Sequence, residues 1–207
     1  MIEAVLSDFG GVLTTPLIES FAGLQGESGI TLEAVGMAMA RVTQRDGRHP
    51  LYELETGRMT ERDFLDRLGQ ELGAELHGFG ARYFANLHAN EKLIAYYRDL
   101  RERGLRLALL TNNVREWEPL WRPKLPVDEL FELVVDSAFV GLRKPDREIY
   151  DLTLERLALP AAACVFVDDL DVNVAAAREV GMVGVHFRDT GQAIAEIEAA
   201  LSQRSLS

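Results

Sequence analysis

Short apolar runs alternate with amphipathic stretches along most of the chain. The first run, at 2–7, has the composition of a buried strand and is broken at once by Gly10-Gly11. Four further runs of this kind lie at 105–110, 133–136, 164–167 and 183–187. Helical periodicity fills the intervals, at 91–103, 115–121, 146–157, 173–180 and 191–201. The alternation predicts a three-layer α/β/α, Rossmann-like fold, in which helices cover both faces of a parallel sheet.

The segment between the first two predicted strands has a different pattern. From residue 20 to about 89, helical periodicity dominates, and glycines and prolines interrupt it. Thr60 fits a helix N-cap, with Asp63 at the third helical position and an apolar face that begins at Phe64. We therefore expect a helical cap domain, residues 16–89, inserted after the first strand of a core domain that comprises residues 1–15 and 90–207.

Composition places the chain among ordinary globular proteins, since 47% of its 207 residues are hydrophobic and 27% are charged. No run approaches the roughly 18 uncharged apolar residues of a membrane-spanning helix. The N-terminus lacks the basic and apolar regions of a signal peptide. The single cysteine, Cys164, lies in an apolar run and is interpreted as a buried small hydrophobe. We expect a cytoplasmic protein without a membrane partner.

The net charge of −11 limits the choice of partners further. A protein this acidic repels the phosphates of nucleic acids unless a local basic patch compensates. Arg41, Arg45 and Arg48 come nearest to such a patch, but Asp46 interrupts it, and a solvated helix face accounts for them better. We therefore expect no nucleic acid partner. An anionic substrate would need a local counter-charge, such as a metal ion or a lysine.

Reactive side chains follow four of the predicted strands. In chain order these are Asp8, then Thr111-Asn112, then Lys144 after a short connection, and finally Asp168-Asp169. The carboxyl ends of parallel strands meet at one edge of a sheet, and ligands bind beyond that edge. The spacing thus predicts that a carboxylate, a hydroxyl, a lysine and two further carboxylates converge.

Each of these groups has a distinct chemical role. A carboxylate such as Asp8 can attack phosphorus or carbon and form a covalent intermediate. Attack on a phosphate brings two anions together, so their charge must be neutralised. Mg²⁺ prefers oxygen ligands and can supply that charge, while Lys144 can neutralise the nucleophile and the phosphoryl oxygens together. Thr111 and the amides after it can hold phosphate oxygens.

Four motifs carry these residues in order. They are Asp8-Phe9-Gly10-Gly11-Val12-Leu13, Leu110-Thr111-Asn112-Asn113, Arg143-Lys144-Pro145-Asp146 and Val167-Asp168-Asp169-Leu170-Asp171-Val172-Asn173. Together they resemble the haloacid dehalogenase-like superfamily of hydrolases, and the resemblance covers essentially the whole chain. The first motif and residues 55–60 look most like the subgroup related to the phosphatase domain of soluble epoxide hydrolases.

The resemblance implies a role for each matching residue. Asp8 would be the nucleophile and a metal ligand, and Lys144 would order it. The backbone carbonyl of Gly10 and the carboxylate of Asp169 would be further ligands of Mg²⁺, with Asp168 beside them.

The same resemblance places the phosphate against Thr111 and Asn112. It implies a Mg²⁺-dependent phosphatase that acts on a small phosphorylated metabolite through an aspartyl-phosphate. The sequence leaves the oligomeric state open, and a homodimer is compatible with it.

One departure from the family pattern lies two positions after the nucleophile. Most phosphatases of the superfamily carry an aspartate there, which protonates the leaving group and then activates water, whereas this chain has Gly10. General acid–base help is typically worth about 10²–10⁴ in rate. Three interpretations stay open. The substrate has a good leaving group, as in sugar 1-phosphates or acyl phosphates. A cap residue (His49, Glu53 or Glu55) substitutes. Or the protein is a weakly active or silent binding protein.

A 2-haloacid dehalogenase of the same superfamily is the nearest enzymatic alternative. Such an enzyme would also use Asp8, but it would attack carbon, without a metal, beside a cap arginine. Family members of this type tend to carry an aromatic residue at the position of Gly10. The Asp168-Asp169 pair favours a metal site, and so favours the phosphatase.

Overall fold

A five-stranded parallel sheet forms the centre of the computed structural model, which describes residues 1–15, 29–76, 78–85 and 87–202. The strands are β1 (Ala4–Ser7), β2 (Arg106–Thr111), β3 (Leu133–Asp136), β4 (Cys164–Asp168) and β5 (Val183–His186). Their order across the sheet is β3-β2-β1-β4-β5, and every neighbouring pair is parallel. The five predicted strands and the parallel sheet are therefore confirmed.

β1 is the central strand, because it pairs with β2 on one side and β4 on the other. Its residues are all buried. Val5 packs into the apolar layer on one face of the sheet and Leu6 into the layer on the other, as expected when successive side chains point to opposite faces. Asp8 follows directly and emerges at the middle of the C-terminal edge.

Four helices of the described chain lie between β1 and residue 90. They are α1 (Leu32–Asp46), α2 (Pro50–Glu55), α3 (Glu61–Leu72) and α4 (Phe79–Ala85), which we call the inserted helices. The predicted cap at Thr60 is confirmed, since its side chain accepts a 3.1 Å hydrogen bond from the backbone of Asp63. An isolated bridge between Thr14 and Ala89 lies close to the predicted ends of the insertion. The division into core and cap domains stays a prediction, and its residues 16–28 fall outside the described part of the chain.

The remaining helices cover both faces of the sheet. They are α5 (Glu91–Glu102), α6 (Glu118–Trp121), α7 (Val127–Leu130), α8 (Ser137–Val140), α9 (Arg147–Leu157), α10 (Asp171–Val180) and α11 (Thr190–Ser202). Helices α5 and α11 pack on one face, and α9 and α10 pack on the other. The short helix predicted over 115–121 ends at Trp121. Pro123 lies in the 3₁₀ turn that follows, Arg122–Lys124, near its start, where a proline needs no hydrogen-bonded amide.

Cys164 is buried, and burial raises the pKa of its thiol to about 11. Arg41 and Arg45 pair with Glu71 at the surface, as a solvated helix face requires. Among the described residues, no helix has both the length and the apolar character needed to cross a membrane.

Candidate active site

Lys144 joins two carboxylates in the interior of the protein. Its Nζ atom lies 2.7 Å from Oδ1 of Asp8 and 2.7 Å from Oδ2 of Asp168, and its side chain is only 1% exposed. Burial by itself would lower the pKa of Lys144, but Asp168 and Asp8 outweigh that effect and raise it. The ammonium group therefore stays charged and fixes the position of the Asp8 carboxylate.

Asn112 holds the backbone that carries Lys144. Its Nδ2 atom donates to the carbonyl oxygen of Lys144 at 2.9 Å, and the amide of Lys144 donates to Oδ1 of Asn112 at 2.8 Å. The Asn112 side chain thus contacts the loop that carries Lys144, which we call the lysine loop. The sequence predicts instead that Asn112 contacts phosphate. Thr111, the last residue of β2, is buried and lines the cavity next to Asp8.

Asp168 is buried at the end of β4 and accepts several hydrogen bonds. Besides Lys144, the backbone amide of Leu170 donates to Oδ1 at 2.9 Å, and Nδ2 of Asn173 donates to the same atom at 3.0 Å. The Tyr150 hydroxyl in turn donates to the carbonyl oxygen of Asn173 at 2.9 Å. Protein donors therefore engage both oxygens of Asp168.

Asp169 lies close to the backbone of the loop after β1. Gly11 has a φ of +78°, and a Cβ atom at this position would overlap the carboxylate of Asp169. Only glycine satisfies both conditions, because it has no side chain and adopts positive φ freely. Burial, and then the negative charge of Asp168, raise the pKa of Asp169 to about 6. Gly11 thus permits the close approach of Asp169 to the loop that contains Asp8.

The three carboxylates suit a divalent cation. Asp8, Asp168 and Asp169 each have an oxygen within 4.8 Å of the others. Because Lys144 balances only one of their charges when all are ionised, the cluster keeps an excess of negative charge. Burial raises the pKa of Asp8 to about 7, since Asp168 and Asp169 counteract the lowering by Lys144. A hard cation with a preference for oxygen, such as Mg²⁺, fits this set of donors.

A cavity of about 980 Å³ lies against Asp8. Asp8, Thr111, Lys144 and Asp169 line its polar end. The inserted helices provide much of its remaining wall, which is mainly aliphatic and aromatic and includes Val35, Met39, Leu51, Phe64, Leu65 and Leu76. The site is therefore built by the strand ends together with the inserted helices.

Tyr83 of α4 is a cavity residue that no sequence motif marks. It is buried, and its ring stacks on Trp117 at a centroid distance of 5.6 Å. Burial, followed by the negative charges of Asp8 and Asp169, raises the pKa of Tyr83, so the phenol stays protonated. Its place in the site depends on how α4 packs against the core, which hydrophobic periodicity does not reveal.

Glu55 is the one member of the predicted acid–base trio that lines the cavity within the described part of the chain. His49 stacks on Tyr52 at 4.3 Å, and Glu53 pairs with arginines at the surface. Glu55 accepts a 2.8 Å hydrogen bond from Nε of Arg143, whose guanidinium lies 3.9 Å from the centre of the Tyr52 ring. Burial raises the pKa of Glu55, and Arg143 opposes the rise.

A family model described as a haloacid dehalogenase-like hydrolase matches residues 2–181. The chain is a haloacid dehalogenase-like hydrolase. A curated sesquiterpene phosphatase from Aspergillus oryzae is 28% identical to it over 200 residues, which cover 91% of each protein. The chain spans less than half of the length of seven other curated relatives.

Solved structures of other haloacid dehalogenase-like enzymes share the fold. An enzyme from Bacteroides thetaiotaomicron, in complex with magnesium and inorganic phosphate, has a TM-score of 0.65 and 21% identity, covering 89% of this chain and 93% of its own. An L-2-haloacid dehalogenase has a TM-score of 0.68 and 22% identity, covering 92% and 88%. The predicted family, fold and hydrolase class are therefore confirmed. Because enzymes of both types share this fold, the choice between them depends on the site.

Proposed function

We propose that this hydrolase is a Mg²⁺-dependent phosphatase of a small phosphorylated metabolite, with Asp8 as the nucleophile. The observation that carries the proposal is the cluster of Asp8, Asp168 and Asp169, in which Lys144 neutralises one charge and a cation would neutralise the excess. Attack on the carbon of a haloacid would gain nothing from a cation here. The sesquiterpene phosphatase among the relatives also supports a phosphatase over a dehalogenase.

The metal would be held by Asp8, Asp169 and the backbone carbonyl of Gly10. When bound, Mg²⁺ would offset the repulsion between the nucleophile and the phosphoryl oxygens. The sequence also predicts Asp168 beside the metal. Since Lys144, Leu170 and Asn173 already donate to its oxygens, we infer that Asp168 acts by holding the lysine.

The first chemical step is an attack by a carboxylate oxygen of Asp8 on phosphorus. The bond between phosphorus and the leaving oxygen breaks, and its electron pair departs with that oxygen. Lys144 keeps Asp8 aligned and limits the charge repulsion as the two anions meet. Thr111 and the backbone amides after it would bind phosphoryl oxygens, while Asn112 holds the lysine loop.

The second step frees the enzyme. Water attacks the phosphorus of the aspartyl-phosphate, so inorganic phosphate leaves and the Asp8 carboxylate is restored. One proton of the water ends on the leaving group, which gives an alcohol or acid as the second product. Gly10 cannot move this proton. Of the three cap residues that the sequence offers, Glu55 lines the cavity in the described part of the chain, but Arg143 binds its carboxylate.

A phosphate-release assay tests the proposal. Acetyl phosphate, 4-nitrophenyl phosphate and sugar phosphates are offered with Mg²⁺ or with EDTA. We expect turnover that requires Mg²⁺ and falls at least about 10³-fold in Asp8→Asn, because the nucleophile is lost. Asp146→Asn, which removes an exposed carboxylate at the start of α9, is the matched control and should keep full activity.

Other results of this assay would point to the alternatives. Phosphate release that persists in EDTA, or in Asp8→Asn, would contradict the mechanism. Halide release from 2-chloropropionate without metal would establish the dehalogenase instead. A protein that binds phosphate esters without turnover would be a binding protein. The cytoplasmic location and the homodimer stay predictions, which fractionation of cells and light scattering would test.

A further inference from the structure

The cavity beside Asp8 is larger than a small polar phosphate requires. Its volume of about 980 Å³ lies at the upper end of the roughly 300–1,000 Å³ that is typical of small-molecule sites. Its wall is apolar away from the catalytic end, where Val35, Met39 and Leu51 face residues of α3 such as Phe64 and Leu65. A wall of this kind favours an apolar occupant, because it removes hydrocarbon surface from water.

In the described part of the chain, few charged side chains that could bind a sugar line the cavity away from its catalytic end. Beyond the catalytic end, the charged lining residues in the described chain are Glu55, Arg143, Glu75 and Arg82. Glu55 and Arg143 bind each other, and Glu75 and Arg82 are exposed to solvent. Sugar hydroxyls moved into the apolar part would lose their hydrogen bonds to water without replacement, which is costly.

The edge of the cavity is apolar as well. Leu32, Tyr52, Leu170 and Val172 line the cavity and are also among the exposed large hydrophobic residues of the chain. Exposed apolar side chains grouped around a site indicate that it binds an apolar partner. The edge and the wall therefore favour the same class of substrate.

The glycine at position 10 also restricts which leaving groups the substrate can carry. No side chain at this position can protonate the leaving oxygen, so the oxygen has to depart as an anion or take its proton from elsewhere. A phenolate or a carboxylate is a far weaker base than an alkoxide and departs more easily. The missing proton donor thus favours an aryl or acyl phosphate over an alkyl phosphate.

Combining these observations, we propose that the preferred substrate is an aryl or acyl phosphate whose organic part is large and apolar and fills the cavity lined by α1 and α3. The inference rests on the proposed phosphatase function. The P–O bond to Asp8 forms as the P–O bond to the leaving oxygen breaks, and the phenolate or carboxylate departs with the electron pair. Water then releases inorganic phosphate and supplies the proton that the leaving group takes up.

A homologous series of substrates tests the apolar cavity. Phenyl, 4-ethylphenyl, 4-butylphenyl and 4-hexylphenyl phosphate have nearly the same leaving oxygen and differ in apolar length. With Mg²⁺ present, we expect kcat/KM to rise by up to about fourfold for each added methylene, until the cavity is filled. Decyl phosphate, of comparable length but with a basic leaving oxygen, should be at least about 10²-fold slower than the 4-hexylphenyl ester.

Two methionines of α1 provide a matched pair of variants. Met39 is partly buried and lines the cavity, whereas Met37 is half exposed and is absent from the described lining. Met39→Gln should flatten the dependence of kcat/KM on chain length, since it places an amide in the apolar wall. Met37→Gln should leave that dependence unchanged.

The outcomes separate this inference from the proposed function. If Mg²⁺ supports no hydrolysis of any ester, including 4-nitrophenyl and acetyl phosphate, the phosphatase function itself fails. If the aryl esters react at rates independent of chain length, or a hexose phosphate is preferred, the apolar substrate is refuted while the phosphatase stands. If decyl phosphate reacts as fast as the 4-hexylphenyl ester, the requirement for a weakly basic leaving oxygen is refuted.

Discussion

Glu55, the last residue of α2, accepts a 2.8 Å hydrogen bond from Arg143, the residue before Lys144. The two side chains are only 15% and 14% exposed. The ring of Tyr52 lies against the guanidinium of Arg143. The ion pair therefore joins the inserted helices to the loop that carries the buried lysine.

Replacement of Glu55 by glutamine should weaken this connection. We expect Glu55→Gln to lower the free energy of unfolding by about 1–2 kcal/mol, because a mostly buried arginine loses its charged partner. Glu53→Gln on the same helix is the control. Its arginine partners are exposed, so its effect should stay within about 0.5 kcal/mol. Urea denaturation measures both variants. Equal losses of unfolding free energy would show that the ion pair of Glu55 with Arg143 contributes no more than the surface pairs of Glu53.

Gly11 should be required for the metal site as well as for the turn. We expect Gly11→Ala to weaken Mg²⁺ binding by about 10–100-fold, because the new methyl group displaces the carboxylate of Asp169. Gly47→Ala is the control, since Gly47 also has a positive φ, +71°, but its Cβ would meet open space. Both variants should lose roughly 1–2 kcal/mol of stability. Titration calorimetry should show weaker Mg²⁺ binding in Gly11→Ala than in Gly47→Ala. Equal Mg²⁺ affinities of the two variants would contradict the requirement for Gly11 beside Asp169.

Stabilisation by Mg²⁺ should depend on pH. Burial raises the pKa of Asp8 to about 7 and that of Asp169 to about 6, from an ordinary 3.8. Because protonation is easier in the folded protein, these groups favour folding below about pH 4 and lose that contribution as the pH rises to about 7. Mg²⁺ competes with the same protons. The increase in the Tm of the protein on addition of Mg²⁺ should therefore be small at pH 5 and large at pH 8.

Thermal denaturation with and without Mg²⁺ measures this effect, and Asp8→Asn provides the comparison. The variant should show a smaller increase in Tm at pH 8, because one charged ligand is gone. A Tm increase of the same size at both pH values would contradict the assignment of the metal to these carboxylates.

An aspartate at position 10 should supply the missing acid. We expect Gly10→Asp to raise kcat for an alkyl phosphate by about 10–10²-fold, with little change for an aryl phosphate, whose leaving oxygen needs less protonation. Gly10→Asn, which has nearly the same shape but no acidic proton, is the control. A similar gain for both variants, or for both substrates, would show that the gain does not come from protonation of the leaving oxygen by residue 10.

Hydrophobic patterning predicts the layout of the core well. All five strands lie where apolar runs predict them, because a strand buried on both faces has a near-continuous apolar sequence. The residues after these strands meet because parallel strands end at one edge. The contact between Lys144 and Asp8 follows from that arrangement, although the residues are 136 positions apart.

The inserted helices are less predictable. Periodicity indicates that 20–89 is helical and which face of α3 is apolar, but it does not say where those faces pack. The structure assigns Glu55 to the cavity and pairs Glu53 with exposed arginines instead, although both belong to α2. It also brings Tyr83 near Asp8, although no sequence motif marks this tyrosine.

The sequence by itself determined the fold class, the family and the set of reactive groups at the strand ends, including the missing acid at Gly10. These properties follow from local composition and from the order of motifs. Only the tertiary structure decided that Asn112 binds the lysine loop, that Asp168 is held by protein donors, and that the cavity is apolar. Each of these depends on side chains that approach one another through packing of separate elements, and such distances are not encoded in the spacing of any one segment.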